Sequence, residues 1–157
     1  MIVATFNGRY ISPIDLSYEY PIKTGTPEWK ESNYRELVDL LQIPEEILYN
    51  LTTEALIETV LDYPFIVNLF LFNSYEDGFK ATLSDFNGLR ELVRRDDAAS
   101  KLLQKRLEMS DIQEAENSFE MKIIDIFLYQ ESIHNQLTHA ERTDLDAIAA
   151  LYNRDVE

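Results

Sequence analysis

The spacing of apolar residues along this chain changes near residue 26. Beyond that point they recur at positions i, i+3, i+4 and i+7, a spacing that places them on one face of an α-helix. The stretches that begin at Tyr34 and Leu145 show it, and those that begin at Leu56 and Phe119 carry similar apolar stripes. The pattern predicts an all-α multi-helix bundle of about seven to nine helices. We expect a helical body over residues 27–154 of one domain that spans residues 1–157.

Polar residues and prolines indicate where these helices begin. Thr, Ser and Asn side chains accept hydrogen bonds from the first free N–H groups of a helix, and proline suits the first helical position, as Pro27 does. Glu141 follows Thr138 at capping-box spacing. One helix is predicted from Thr26 to Ile43, and a later one from about Glu114 to Leu137. The predicted caps are Thr26, Thr52 or Thr53, Ser74, Asp96 or Asp97, and Thr138.

The segment from Pro64 to Phe72 is apolar almost all round. A helix of that composition belongs in the middle of a fold, surrounded by the others. It is too short to cross a bilayer, which needs about 20 apolar residues. We therefore expect Pro64–Phe72 to be the central, buried helix of the bundle, and we expect no membrane insertion.

The first 26 residues show a different pattern. Asn7-Gly8 lies between two short apolar runs, and this dipeptide favours the type I′ turn of a β-hairpin. The stretch from Ser12 to Gly25 predicts an extended arm lying over the helical body. Tyrosines in such an arm are suited to partner contacts, because each combines a large apolar face with a polar tip. The candidate contact residues are Tyr10, just before this stretch, and Tyr18 and Tyr20 within it.

The chain is strongly acidic, with 29 Asp and Glu against 14 Lys and Arg and a formal charge of −15. Such a field repels phosphate backbones, so nucleic acid is not expected as a partner. It leaves two interpretations: solubility alone, or an acidic surface that docks a basic protein. Cysteine is absent, which excludes disulfides and thiolate chemistry.

Basic residues are concentrated between residues 90 and 107. This segment contains six basic residues and three acidic ones. One interpretation is a set of internal ion pairs. The other is a docking strip for an anion or a partner. Exposed ion pairs contribute only about 0–1 kcal/mol each. Such a strip would therefore affect the orientation of the charged groups that meet it more than the stability of their contact. The candidate residues of this basic strip are Arg90, Arg94, Arg95, Lys101, Lys105 and Arg106.

Motifs for catalysis are missing from the sequence. Glu131 and His134 have the E-x-x-H spacing of di-iron bundles, but that site needs a second such pair and two further glutamates. We expect His134 to be a partly buried, hydrogen-bonded histidine. Phosphate-binding loops and nucleophile elbows are also missing. We therefore expect no cofactor and no metal. Only a hydrolase built from two carboxylates, one with a raised pKa, stays open as an enzyme.

Several segments have a familiar sequence: Thr26-Pro27-Glu28-Trp29, Leu41-Gln42-Ile43-Pro44, Thr53-Glu54-Ala55-Leu56, Tyr63-Pro64 and Phe86 to Leu92. Over about residues 26–140 the chain resembles a group of bacterial proteins described only as hypothetical, some of them with secretion signals. The resemblance implies a shared helical body and no particular chemistry. The N-terminal sequence has no signal-peptide pattern. A cytoplasmic location is expected if residue 1 is the native start, and a secreted or cell-surface one if a leader was removed.

The sequence leaves three functions open. The first is a non-catalytic interaction or scaffold module, favoured by the missing motifs, the acidic charge and the tyrosine-bearing arm. The second is an acidic inhibitor or immunity-type protein that neutralises a basic partner, with binding that weakens steeply in salt. The third is the carboxylate hydrolase. The sequence predicts no oligomeric state.

Overall fold

A computed structural model of the chain describes residues 4–6, 9–11, 13–110 and 118–154. It confirms the all-α multi-helix bundle. Two short strands, β1 (Ala4–Phe6) and β2 (Arg9–Ile11), pair antiparallel, and the turn predicted at Asn7-Gly8 lies outside the described residues. The helices in the described ranges are α1 (Pro27–Glu31), α2 (Tyr34–Leu40), α3 (Glu45–Leu48), α4 (Thr53–Leu61), the 3₁₀ helix Ile66–Phe70, α5 (Tyr75–Asp85), α6 (Asn87–Arg94), α7 (Ala98–Ser110), α8 (Ser118–Leu128), α9 (Glu131–His134) and α10 (His139–Arg154).

The chain divides into two compact units, Met1–Arg95 and Asp96–Glu157. In the first unit the buried apolar side chains come mainly from α2, α4 and α6 and from the loops that follow α2 and α4. In the second they come from α7, α8 and the inward positions of α10. The expectation of one domain over residues 1–157 stays a prediction.

Helix starts follow the predicted caps. The Thr26 hydroxyl accepts from the Trp29 N–H, and Pro27 occupies the first turn of α1. The Thr52 hydroxyl caps α4 through the Ala55 N–H, at 3.2 Å. Thr138 and Glu141 exchange both hydrogen bonds of a capping box, with the Thr138 N–H donating to Glu141 Oε2 at 2.7 Å. These caps could be predicted because they depend on neighbours three residues away.

Two long helices were predicted from the sequence, and the structure interrupts each of them. Asn33 forms a capping box with Glu36 and starts α2 as a new helix, so the predicted helix Thr26–Ile43 is divided at Ser32. The backbone of Gln130 is extended, with ψ 135°, which separates α8 from α9. The predicted helix from Glu114 to Leu137 is therefore also divided, and residues 114–117 lie outside the described ranges.

The prediction of a central helix over Pro64–Phe72 is wrong. The segment forms a 3₁₀ helix only from Ile66 to Phe70. A 3₁₀ helix has three residues per turn, so residues three apart share a face. Ile66 and Leu69 are that buried pair, while Leu71 and Phe72 beyond the helix are exposed. The prediction from apolar composition overestimated how many of these side chains are buried in the fold.

Residues 13–25, within the stretch predicted as an extended arm, precede the helices of the first unit. Ile14 pairs with the chain after α3: its N–H donates to the Asn50 carbonyl at 2.7 Å, and its carbonyl accepts from the Thr52 N–H at 2.9 Å. Thr59 of α4 accepts from the Tyr18 N–H at 2.9 Å. The arm is thus held to the helical unit by backbone hydrogen bonds over residues 14–18.

Candidate functional site

Exposed apolar side chains lie within the 3₁₀ helix and just after it. Four large side chains within nine residues each expose between 46% and 76% of their surface. Isolated exposed hydrophobic residues are ordinary on soluble proteins, so several within one short segment make it a candidate site. We call these four the apolar face: Val67, Leu71, Phe72 and Tyr75.

A small pocket of about 30 Å³ adjoins the apolar face, because Phe72 is part of its lining. Tyr34 and Phe72 are both about half-exposed, and Tyr63 is 2% exposed, so the pocket extends from the surface to a buried floor. Most of its lining is aromatic, with one carboxylate. The lining residues are Tyr34, Tyr63, Phe65, Asn68, Phe72, Ala81, Thr82 and Asp85.

Hydrogen bonds fix the polar side of the pocket. The Tyr34 hydroxyl donates to Asp85 Oδ2 at 2.9 Å, and Asn68 Nδ2 donates to the Tyr34 hydroxyl at 3.4 Å. Burial raises the pKa of Tyr34, and its hydrogen bond to the Asp85 carboxylate raises it further. Asp85 therefore places negative charge at this pocket.

Tyr63 forms the floor of the pocket and lies in a constrained position. Its ring stacks on Phe86, with centroids 3.9 Å apart and planes at 4°. Its buried hydroxyl has no hydrogen-bond partner within the described protein. Burial is the main cause that raises the pKa of Tyr63. Electrostatic interactions with Tyr34 and Asp85 raise it further. A buried hydroxyl without a partner is costly, so folded proteins contain few of them.

The backbone around the pocket is held by two amide side chains. Asn87 bonds both sides of Ile43: its Oδ1 accepts from the Ile43 N–H at 3.0 Å and its Nδ2 donates to the Ile43 carbonyl at 2.8 Å. Gln42 Nε2 donates to the Asp85 carbonyl at 2.7 Å, and Gln42 Oε1 accepts from the Asn87 N–H. These bonds join the end of α2 to the junction of α5 and α6, where Asp85 lies.

Gly78 of α5 permits the close approach of the 3₁₀ helix. A Cβ at this position would lie 2.9 Å from the Leu69 Cα and closer still to the Leu69 carbonyl oxygen. Neither Gly78 nor Asn87 was recognised from the sequence as positioning a site. Asn87-Gly88 was interpreted only as a helix break, since long-range partners such as Ile43 leave no local signal.

The tyrosines predicted for partner contact have different surroundings. Tyr20 is 8% exposed, and its hydroxyl donates to the Thr59 carbonyl at 2.6 Å, so its side chain belongs to the core. Tyr18 is half-buried and meets Tyr20 edge to face, at 5.2 Å between centroids. The side chain of Tyr10 lies outside the described residues. A groove of about 580 Å³ runs along the arm, lined among others by Leu16 and Tyr18.

Three arginines of the basic strip bind carbonyls or carboxylates of their own unit. Arg90 donates to the carbonyls of Leu83 and Ser84 at the end of α5. Arg95 pairs with Glu91 at 2.9 Å and donates to the Leu51 carbonyl at 2.8 Å. Arg106 is fully buried and pairs with Asp125 at 2.7 Å. These contacts favour the internal ion-pair interpretation for Arg95 and Arg106.

The other three residues of the strip differ in exposure. Arg94 is exposed, and Lys101 and Lys105 are half-buried. The boundary between the two compact units falls after Arg95, within the strip. Arg90, Arg94 and Arg95 belong to the first unit, and Lys101, Lys105 and Arg106 to the second. A docking role for the strip stays a prediction.

His134 is the partly buried, hydrogen-bonded histidine that the sequence predicted. Its Nδ1 lies 3.1 Å from the Leu128 carbonyl oxygen, and its ring stacks on Tyr129 at 5.9 Å. Within the described ranges, no group of three or more His, Cys, Asp or Glu residues is arranged to hold a metal ion.

Comparison of the chain with protein-family models, with curated proteins and with solved structures finds no match. The resemblance to bacterial helical proteins over residues 26–140 therefore stays a prediction. None of the helices in the described part of the chain combines the length and the apolar composition that crossing a membrane requires.

Proposed function

We propose that this protein is a non-catalytic interaction module that binds a basic partner through the apolar face and the adjoining pocket. The exposed apolar face carries this proposal. It consists of side chains whose composition predicts burial but which the first unit leaves in contact with solvent. A partner that covered them would gain about 25 cal/mol for each Å² of apolar surface removed from water.

Charge complementarity determines the chemistry of the partner. Residues 1–95 contain fifteen acidic and eight basic residues. Near the apolar face, Glu76 and Asp77 lie in the first turn of α5, and Asp85 lines the pocket. A segment that is both apolar and basic would satisfy the face and the charge together, and opposite charges would also speed its association.

This surface suits both the scaffold hypothesis and the inhibitor hypothesis, because each requires a protein partner. The hydrolase hypothesis requires two inward carboxylates, one with a raised pKa. The pocket has a single carboxylate, Asp85, in its lining. The pKa of Glu141 in the second unit is lowered, chiefly by the Ser100 hydroxyl, which is opposite to the shift of a general acid. The geometry therefore favours binding over hydrolysis.

Selection from a displayed library of random peptides, carried out on the immobilised full chain, tests this function. We expect wild type to enrich peptides that combine apolar residues with a net positive charge. Phe72→Ser should abolish that enrichment, because it removes a ring shared by the face and the pocket. Tyr49→Ser is the matched control, since Tyr49 is an exposed aromatic residue outside the face.

Three results would contradict the proposal. One is enrichment of the same peptides by wild type and Phe72→Ser. The second is a wild-type selection without any bias toward positive charge. The third is loss of enrichment in Tyr49→Ser as well, because the loss would then not be specific to the apolar face.

A further inference from the structure

We propose that the pocket between Tyr34, Tyr63 and Asp85 receives one primary ammonium group, the end of a lysine side chain of the basic partner. This inference rests on the proposed function and names the group recognised next to the apolar face. Three features of the pocket support it: its size, its carboxylate acceptor and its aromatic lining.

The size of the pocket restricts the ligand. A volume of about 30 Å³ is close to the share of one water molecule in the liquid, whereas a cavity that binds benzene has about 150 Å³. A primary ammonium group is similar in size to water. A guanidinium plane or a trimethylated ammonium group needs considerably more room. The pocket therefore favours lysine over arginine.

The polar atoms of the pocket match an ammonium group, which has three N–H donors and no acceptor. The Asp85 carboxylate provides a charged acceptor, and Oδ2 already accepts from Tyr34. Tyr63 also lines the pocket, but its hydroxyl is buried and is not exposed to the space of the pocket. Hydrogen bonds between charged groups are roughly twice as strong as neutral ones. Asp85 is thus expected to contribute most.

The aromatic lining adds a further preference for a cation. Tyr34, Phe65 and Phe72 line the same small volume, and the Tyr34 and Phe65 ring centroids lie 4.9 Å apart. The face of an aromatic ring attracts a cation within about 6 Å of its centroid. An anion would instead meet the Asp85 charge. A water molecule fits the volume, but it lacks the charge that the carboxylate and the rings favour.

A titration with methylammonium chloride, followed by NMR on the isotope-labelled full chain, tests the inference. We expect saturable shifts of signals from Tyr63, Asp85 and their neighbours. Sodium chloride and tetramethylammonium chloride at the same ionic strength should give only small, non-saturating shifts. Their comparison separates recognition of a primary ammonium group from general salt effects.

Two isosteric variants assign the contacts. Asp85→Asn should weaken methylammonium binding at least about tenfold, because a charged hydrogen bond of about 1.5–3 kcal/mol is lost. Tyr63→Phe should leave binding nearly unchanged, because the hydroxyl that it removes is buried and not exposed to the pocket. Asp39→Asn is the matched control, because it removes an exposed charge from α2 and should leave binding unchanged.

The outcomes separate this inference from the proposed function. Equal shifts with all three salts, or shifts unaffected by Asp85→Asn, would overturn the ammonium site and leave only a water-sized cavity. If Phe72-dependent peptides still bound in that case, the interaction function would stand without it. Saturation by methylammonium without any Phe72-dependent peptide would support the ammonium site and contradict the proposed function.

Discussion

Tyr63 and Phe86 stack face to face, with ring centroids 3.9 Å apart and planes at 4°. Tyr63 follows α4, and Phe86 lies between α5 and α6, so the stack joins two parts of the first unit that are distant in sequence. One face of the Tyr63 ring is thereby covered. Tyr63 is held as part of the core and also lines the pocket.

Tyr20→Phe should lower the stability of the protein, whereas Tyr63→Phe should not. The Tyr20 hydroxyl donates to the Thr59 carbonyl, so its removal should lower the free energy of unfolding by about 0.5–1.5 kcal/mol. Removal of the Tyr63 hydroxyl, which has no such partner, should leave the free energy unchanged or raise it. Urea unfolding of both variants and of wild type measures this. A loss in Tyr63→Phe equal to that in Tyr20→Phe would show that the Tyr63 hydroxyl is satisfied in the folded protein.

Gly78→Ala should destabilise the first unit although Gly78 lies within a helix. Alanine in a helix interior is ordinarily better than glycine by about 1 kcal/mol. Here the added Cβ would collide with the Leu69 backbone, and overpacking of this kind costs about 1–3 kcal/mol. We expect a lower thermal midpoint, measured by circular dichroism. Ser84→Ala, an exposed position on the same helix, should be neutral or slightly stabilising. A stabilised Gly78→Ala variant would refute the close approach.

Arg95→Ala should lower the free energy of unfolding by about 2–3 kcal/mol, because charged hydrogen bonds are lost and Glu91 is left without its partner. Arg95 donates to the carbonyls of Leu48 and Leu51 while pairing with Glu91. Arg95→Lys should recover only part of the loss, since lysine lacks the fork that reaches several acceptors. Arg94→Ala, at an exposed neighbour, should stay within about 0.5 kcal/mol of wild type. Equal effects in Arg94→Ala and Arg95→Ala in chemical denaturation would contradict this role.

The contribution of Glu141 to stability should depend on pH. Hydrogen bonds from the Ser100 hydroxyl and the Thr138 N–H lower the pKa of Glu141 below its ordinary value of 4.5. A group with a depressed pKa stabilises the fold above its unfolded-state pKa, and the contribution is lost as pH falls through the folded-state value. Glu141→Gln should therefore be less stable than wild type at about pH 6, with a smaller difference at about pH 3. Thermal unfolding at both pH values measures it.

Asp144→Asn provides the control for that experiment, because it removes an exposed carboxylate from the same helix. Its difference from wild type should change little between the two pH values. A Glu141→Gln difference that is the same at both would show that the capping-box carboxylate does not titrate with folding.

Local features of the sequence determined the helical class, most helix starts and the arm. Caps such as Thr138 with Glu141 depend on atoms three residues apart, so the residues themselves carry the information. The sequence also determined the acidic charge. The capping box of Asn33 with Glu36 has the same spacing, but the continuous apolar pattern around it was interpreted as one helix.

Only the tertiary structure decided which apolar residues are buried and where the candidate site lies. Hydrophobic composition predicted a buried helix over Pro64–Phe72, but the 3₁₀ geometry covers only the Ile66 and Leu69 side of it. The pocket is assembled from residues as far apart as Tyr34 and Asp85, whose hydrogen bond spans 51 positions. Contacts at such separation depend on how helices pack, and helical periodicity does not encode that arrangement.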